Sequence, residues 1–200
     1  PDITRVPGRI VCVASADSPL KGVAVLLRAV AKLATERDIE LTVVSKPQPG
    51  GPTEQLVDEL SLHDRVTFVS GIDETELACL LSSAQIAVIP SLYEGFSLPA
   101  VEAMATATPL VASRAGALPE VVGDDGAGRL VPPGDAEALA AAIAELLDND
   151  AARARMSEAA WRRVQEKFTW RTVAENTARH YAAALDAAQR GRADRSAAAS

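Results

Sequence analysis

The sequence predicts an α/β fold: a Rossmann-like, doubly wound parallel sheet of about six strands, with helices on both faces and C-terminal helices beyond it. Two observations predict it. Short apolar runs alternate six times with amphipathic stretches, the pattern of strands buried on both faces and joined by crossover helices. Apolar residues make up 48% of the 200, enough for a sizeable core. With only two Trp, two Tyr and three Phe, that core has to be built from Val, Leu, Ile and Ala.

The elements follow in order. Ile10–Ala14 is a buried strand. Gly22 opens a helix with Val23, Leu26, Leu27, Val30 and Leu33 on one face, and Leu41–Val44 is the second strand. The prolines and glycines of 46–52 forbid regular structure. A helix over Thr53–Leu60 leads to strand Val66–Val69. Asp73, with Glu76 three residues on, forms a capping box for the next helix. Strand Ile86–Ile89 follows, then a helix with Pro99 in its first turn, where no hydrogen bond is lost. Leu110–Ala112 is a strand, Leu118–Val122 a short helix, and Arg129–Val131 the last strand. Asp135 caps a helix to Leu147; two more span Ala151–Glu166 and Trp170 to about Ala187. The expected strand order is 3-2-1-4-5-6. The domain is expected to occupy 1–185, with 186–200 a flexible tail.

Composition narrows the function. The net charge is −7 with no basic stretch, which argues against a nucleic-acid or anionic-membrane surface. No integral membrane segment, signal peptide or metal-ligand spacing is present, and a cytoplasmic setting fits best. Cys12 and Cys79 lie in apolar segments and are expected to be buried free thiols. His63 and His180 have no acid and serine around them and read as structural or surface residues. Phe168, Trp161, Trp170 and Tyr181 read as helix-packing anchors rather than sugar platforms.

In such a sheet the ligand sits at the carboxyl ends of the strands. The loops after Ala14, Val44, Val69, Ile89 and Ala112 therefore share one rim, and they hold nearly every polar oddity in the chain. The segment 91–104 runs from a strand end through Gly95 into a helix start. Backbone N–H groups at Phe96, Ser97 and Leu98 would point outward there and could hold a phosphate. Glu102, one turn into the helix, could accept hydrogen bonds from a ribose diol, while Glu94 would sit beyond the phosphate. The same two acids also fit a solvated loop residue and a first-turn dipole partner. On the residues alone both readings stand.

The segment resembles the E-x7-E signature of glycosyltransferase family four, retaining enzymes of the GT-B architecture. The likeness runs from Val11 to about Tyr181 and includes Leu20-Lys21-Gly22, Pro90-Ser91, Glu94-Gly95-Phe96-Ser97-Leu98-Pro99, Glu102-Ala103-Met104, Gly116-Ala117-Leu118-Pro119-Glu120 and Leu130-Val131-Pro132-Pro133-Gly134-Asp135. The resemblance implies that this chain is the C-terminal, donor-binding half of a hexosyltransferase, its N-terminal acceptor-binding domain absent. The donor would be a UDP- or GDP-hexose, transferred with retention and without cofactor or metal. It assigns Glu94 to the donor sugar, Glu102 to the ribose and Lys21 to the diphosphate, so that loss of Glu94 should spare nucleoside diphosphate binding. Glu94 and Lys21 are the expected catalytic residues. Ser15, Lys21, Gly22, Ser70, Gly71, Glu94, Gly95, Phe96, Ser97, Leu98 and Glu102 are the expected donor contacts, and the isolated domain would bind donor yet transfer little.

One departure stands out. The family's Gly-Arg before the lysine is here Ser15-Ala16, so the second phosphate-binding cation is missing. Either Arg114 or a serine hydroxyl replaces it, or diphosphate binding is weaker. A dinucleotide-dependent oxidoreductase is argued against by the lack of G-x-G-x-x-G after the first strand. A non-catalytic nucleotide-sugar-binding module is the remaining alternative.

Overall fold

The computed structural model describes residues 4–198. Its sheet has six strands, all parallel: β1 (Arg9–Val13), β2 (Glu40–Val44), β3 (Val66–Val69), β4 (Ile86–Ile89), β5 (Leu110–Ser113) and β6 (Arg129–Val131). Their order is β3-β2-β1-β4-β5-β6, as the sequence predicts. β4 and β5 are buried at every position, because helices cover both faces of a parallel sheet and leave no polar side to alternate with.

The crossovers are α1 (Val23–Leu33), α2 (Pro52–Glu59), α3 (Glu74–Ser83), α4 (Leu98–Ala105) and α5 (Leu118–Val122), followed by α6 (Ala136–Leu147), α7 (Asp150–Lys167) and α8 (Trp170–Ala198). Val23, Leu26, Leu27, Val30 and Leu33 recur at helical spacing and are all buried, and α1 packs against α6. Leu26 and Leu27 are wholly buried, which stabilises the fold by about 1.5–3 kcal/mol for each such side chain. The Asp73 capping box forms in both directions, and Asp135 accepts from the Ala138 N–H to start α6.

The chain divides into two compact units, Pro1–Arg163 and Val164–Ser200. The first holds the sheet, α1–α6 and most of α7; the second holds the end of α7 and α8. Among the described residues no helix is long and apolar enough to cross a membrane.

Three expectations need correction. The last helix runs on to Ala198 instead of ending near Ala187, because the alanines, arginines and glutamine there are strong helix formers that outweigh Gly191. Of the tail expected over 186–200, only residues 199–200 lie outside the described residues. Cys79 is exposed: α3 buries only Leu81, so an apolar stretch there does not imply a covered face. Trp161, Trp170 and Tyr181 are 51%, 90% and 70% exposed, more than packing anchors would be, while Phe168 is half-buried.

Candidate functional site

The order reverses between β1 and β4, and the loops after these two strands meet above that point. After β1 the chain makes a short 3-10 turn, Pro19–Lys21, and then bends at Gly22, whose φ is +66°. A Cβ on Gly22 would lie 2.0 Å from the Pro90 carbonyl oxygen, so only glycine lets the two loops come this close. The Leu92 N–H donates to the Leu20 carbonyl at 2.8 Å and locks them together.

This contact brings two of the expected residues into direct partnership. Lys21 Nζ donates to Glu94 Oε1 at 2.7 Å. The Glu94 side chain is 9% exposed and that of Lys21 34%. Ser91 Oγ, itself buried, donates to the same Oε1 at 2.9 Å. On the other side Glu94 is held through its backbone: its carbonyl accepts from the Ala117 N–H at 2.9 Å. Gly116 makes room for that bond, since a Cβ there would meet the Glu94 carbonyl oxygen at 2.1 Å and φ is +54°. The loop carrying Gly116 is in turn tethered through α5. Buried Arg163 donates from Nε to Val121 O at 2.7 Å and from Nη2 to Glu120 O at 2.6 Å.

The helix start that should receive a phosphate is also built. Ser97 precedes α4 with φ +83°, and the Ser97 carbonyl accepts the first helical bond, from Val101. Helix geometry leaves the Leu98 N–H without an intrahelical acceptor, and Pro99 has none to satisfy. The Ser97 hydroxyl is the one buried side-chain polar atom among the described residues without a hydrogen-bond partner. Phe96 and Leu98, either side of it, are exposed, as is Gly95.

Glu102 lies one turn into α4 and is partly buried. Burial, and then the charge of Glu74 at the start of α3, push its carboxyl above the ordinary 4.5. Ser70 and Gly71 are exposed in the loop after β3. Ser15 is exposed after β1, and its carbonyl accepts from the Ser18 N–H at 3.2 Å.

Where the missing Gly-Arg would stand, the chain has a different device. Asp17 accepts from the N–H of Gln48 at 2.7 Å and of Thr53 at 3.2 Å, and the Gln48 bond is the main cause holding its carboxyl below the usual value. Thr53 Oγ1 donates to Ala16 O at 2.9 Å, and the Ala16 N–H donates to Ser45 Oγ at 2.9 Å. The first two rim loops are thus tied together by an acid, with no cation in that position. Arg114 follows β5, two strand positions from β1, and lines an open cavity of about 520 Å³ with Asp124, Arg129, Pro132 and Glu145. Among the described residues no group of three or more His, Cys, Asp and Glu could hold a metal ion. His63 is exposed on Asp58, 2.9 Å away, and His180 is exposed on α8.

Sequence reasoning quoted Ser91 and Gly116-Ala117 only as parts of the resemblance and gave no role to them or to the Asp17 tie. A signal existed for Ser91: a small polar residue stands at a strand exit, three residues before the acid, among otherwise apolar neighbours.

The fold is that of a GT-B glycosyltransferase domain of the nucleotide-sugar-binding kind. The chain belongs to the family of glycosyl transferases group 1, which it matches over residues 4–163. It is 56% identical over 182 residues to an MMP alpha-(1->4)-mannosyltransferase of Mycolicibacterium hassiacum, covering 90% of this chain and 44% of that protein. Among solved structures, a sucrose-phosphate synthase from Thermosynechococcus elongatus superposes with a TM-score of 0.78 at 36% identity, covering 91% of this chain and 47% of that one. The C-terminal domain of a glycosyl transferase group 1 family protein from Francisella tularensis gives 0.72 at 26% identity, covering 82% of this chain and 89% of that domain. The chain spans less than half the length of the mannosyltransferase and nearly the whole of the isolated C-terminal domain.

Proposed function

We propose that this chain is the donor-binding half of a retaining hexosyltransferase that uses a UDP- or GDP-linked hexose. The observation that carries the reading is the meeting of Lys21, Glu94 and the α4 N-terminus at the switch point between β1 and β4. A diphosphate laid across the start of α4 meets backbone N–H groups and the positive end of the helix without any need for net positive charge. Lys21 supplies the neutralising cation beside it. As the nucleoside diphosphate leaves, Lys21 and the helix N–H groups stabilise the negative charge that develops on it. Glu102 accepts from the ribose diol, and the base lies between the loop of Lys46 and Pro47 and that of Ser70, Gly71 and Ile72. Glu94 faces the hexose. The acceptor would be held by an N-terminal domain, which the chain's coverage of 44% of the mannosyltransferase supports.

Isothermal calorimetry of the chain with UDP, GDP, UDP-glucose and GDP-mannose tests this. One nucleoside diphosphate should bind at one site, and no hexose should pass to any acceptor. Failure of all four ligands to bind would overturn the donor-site reading, and robust turnover by residues 1–200 alone would overturn the assignment of the acceptor to another domain.

A further inference from the structure

We propose that Ser91 is a positioning residue for Glu94, the group that keeps this carboxylate in place once the donor diphosphate has drawn Lys21 away; this rests on the donor-site reading above. In the ligand-free chain Lys21 Nζ and Ser91 Oγ both end on Glu94 Oε1, at 2.7 and 2.9 Å. Among the described residues neither donor reaches Oε2. The two donors differ in what else they can do. Lys21 sits at the end of a short turn with its side chain a third exposed, and a diphosphate offers its ammonium more negative charge than one carboxylate does. Ser91 is 1% exposed and its single proton is already committed to Glu94.

The backbone places Ser91 for this. β4 ends at Ile89, and Pro90 and Ser91 follow while still buried beneath the loop. Pro90 is pressed against Gly22, and Glu94 is pinned from the other side by the Ala117 N–H. The Glu94 carbonyl and carboxylate are therefore each fixed by a group that no donor competes for. Without the Ser91 hydroxyl, the release of Lys21 would leave a nearly buried carboxylate with no partner on Oε1. It would turn toward solvent or recapture Lys21. Either movement removes it from the hexose, and neither touches the nucleoside.

The test separates positioning from mere packing. Ser91→Ala, Ser91→Thr and Ser91→Cys are titrated with the nucleoside diphosphate that the unaltered chain binds and with its hexose conjugate, alongside thermal unfolding. Ser91→Ala should leave nucleoside diphosphate affinity within about twofold, or tighten it, while affinity for the sugar conjugate falls about tenfold, the usual scale for a lost bond to a charged acceptor. Ser91→Thr should restore the conjugate, and Ser91→Cys, a weaker donor of similar size, should fall between. In the full-length enzyme the same order should appear in kcat. An equal loss of both ligands in Ser91→Ala, with no rescue by threonine, would show a packing role and overturn the proposal. So would unchanged affinity for the sugar conjugate. If the unaltered chain bound neither ligand, the donor-site reading would fall first and this inference with it.

Discussion

If the donor binds as proposed, the Lys21–Glu94 pair turns its binding into an exchange of counter-ions, and Glu94→Gln tests this. Glutamine keeps the shape of the side chain and can still accept from Ser91, but without a charge it holds the ammonium far more weakly. In the unaltered chain a diphosphate must first loosen a 2.7 Å contact between a 9% exposed carboxylate and a 34% exposed lysine. A fully buried charged hydrogen bond would be worth about 1.5–3 kcal/mol and a fully exposed pair about 0–1 kcal/mol. The mixed exposure of this one places it near 1–2 kcal/mol. Once that contact is gone, nucleoside diphosphate should bind about 5- to 30-fold tighter, at ~1.4 kcal/mol per factor of ten. The sugar conjugate should gain less, because it loses its own contact with Glu94. Calorimetry of the unaltered chain, Glu94→Gln, Lys21→Ala and the double variant forms a double-mutant cycle. The gain should vanish in the Lys21→Ala background and shrink as salt rises. If Glu94→Gln bound nucleoside diphosphate no better than the unaltered chain while Lys21→Ala bound it poorly, the exchange reasoning would be wrong.

Three further outcomes are expected. Gly116→Ala places a methyl 2.1 Å from the Glu94 carbonyl oxygen at φ +54°, so it should lower stability in urea by about 1–3 kcal/mol and weaken the sugar conjugate more than the nucleoside diphosphate. Ser97→Gly removes a buried hydroxyl without partner from φ +83° and should raise stability by about 1 kcal/mol in the same assay; a fall in donor affinity on that stabler background would show that the hydroxyl serves the ligand. Glu102 has a folded-state value above the ordinary 4.5, so ionising it costs the fold stability that protonation restores. Glu102→Gln should therefore raise the unfolding midpoint near neutral pH, with the gain disappearing below about pH 4. In the unaltered chain, nucleotide affinity should begin to fall on acidification from a pH higher than an ordinary carboxylate would require, and this dependence should be absent from the glutamine variant.

Most of the fold was legible because each element announced itself locally. The apolar runs of β1–β5 are too short for helices, the 3.6-residue period of α1 is regular, and Asp73 and Asp135 are visible as caps. Lys21, Glu94 and Glu102 were legible as rim residues because strand order alone puts their loops at one end. Their contacts were not. Nothing in the spacing of 21 and 94 reveals that they touch, and with their ion pair in view Glu94→Gln is expected to alter a diphosphate binding that the sequence alone expects it to spare. The role of Ala117 depends on a backbone N–H, which no side-chain pattern encodes. The failures have the same origin. Cys79 sits among apolar neighbours and Trp161 follows two alanines, yet their exposure is decided by which face of each helix the rest of the chain covers. The end of α8 lies beyond the expected one because a Gly-, Arg-, Ser- and Ala-rich composition reads as a tail, whereas its alanines and arginines favour helix.

The two cysteines also give the chain a ready-made reporter. Cys12, fully enclosed on β1, has its thiol pushed up to about 12 by burial, and so offers electrophiles almost no thiolate. Cys79 is free and exposed on α3, the helix whose first residue, Glu74, biases the charge of Glu102. A maleimide dye should therefore attach once per chain without any engineered cysteine. It would sit on the helix whose first residue acts on the charge of Glu102, the group proposed to hold the ribose. Donor binding could then be followed by fluorescence at protein concentrations far below those calorimetry needs.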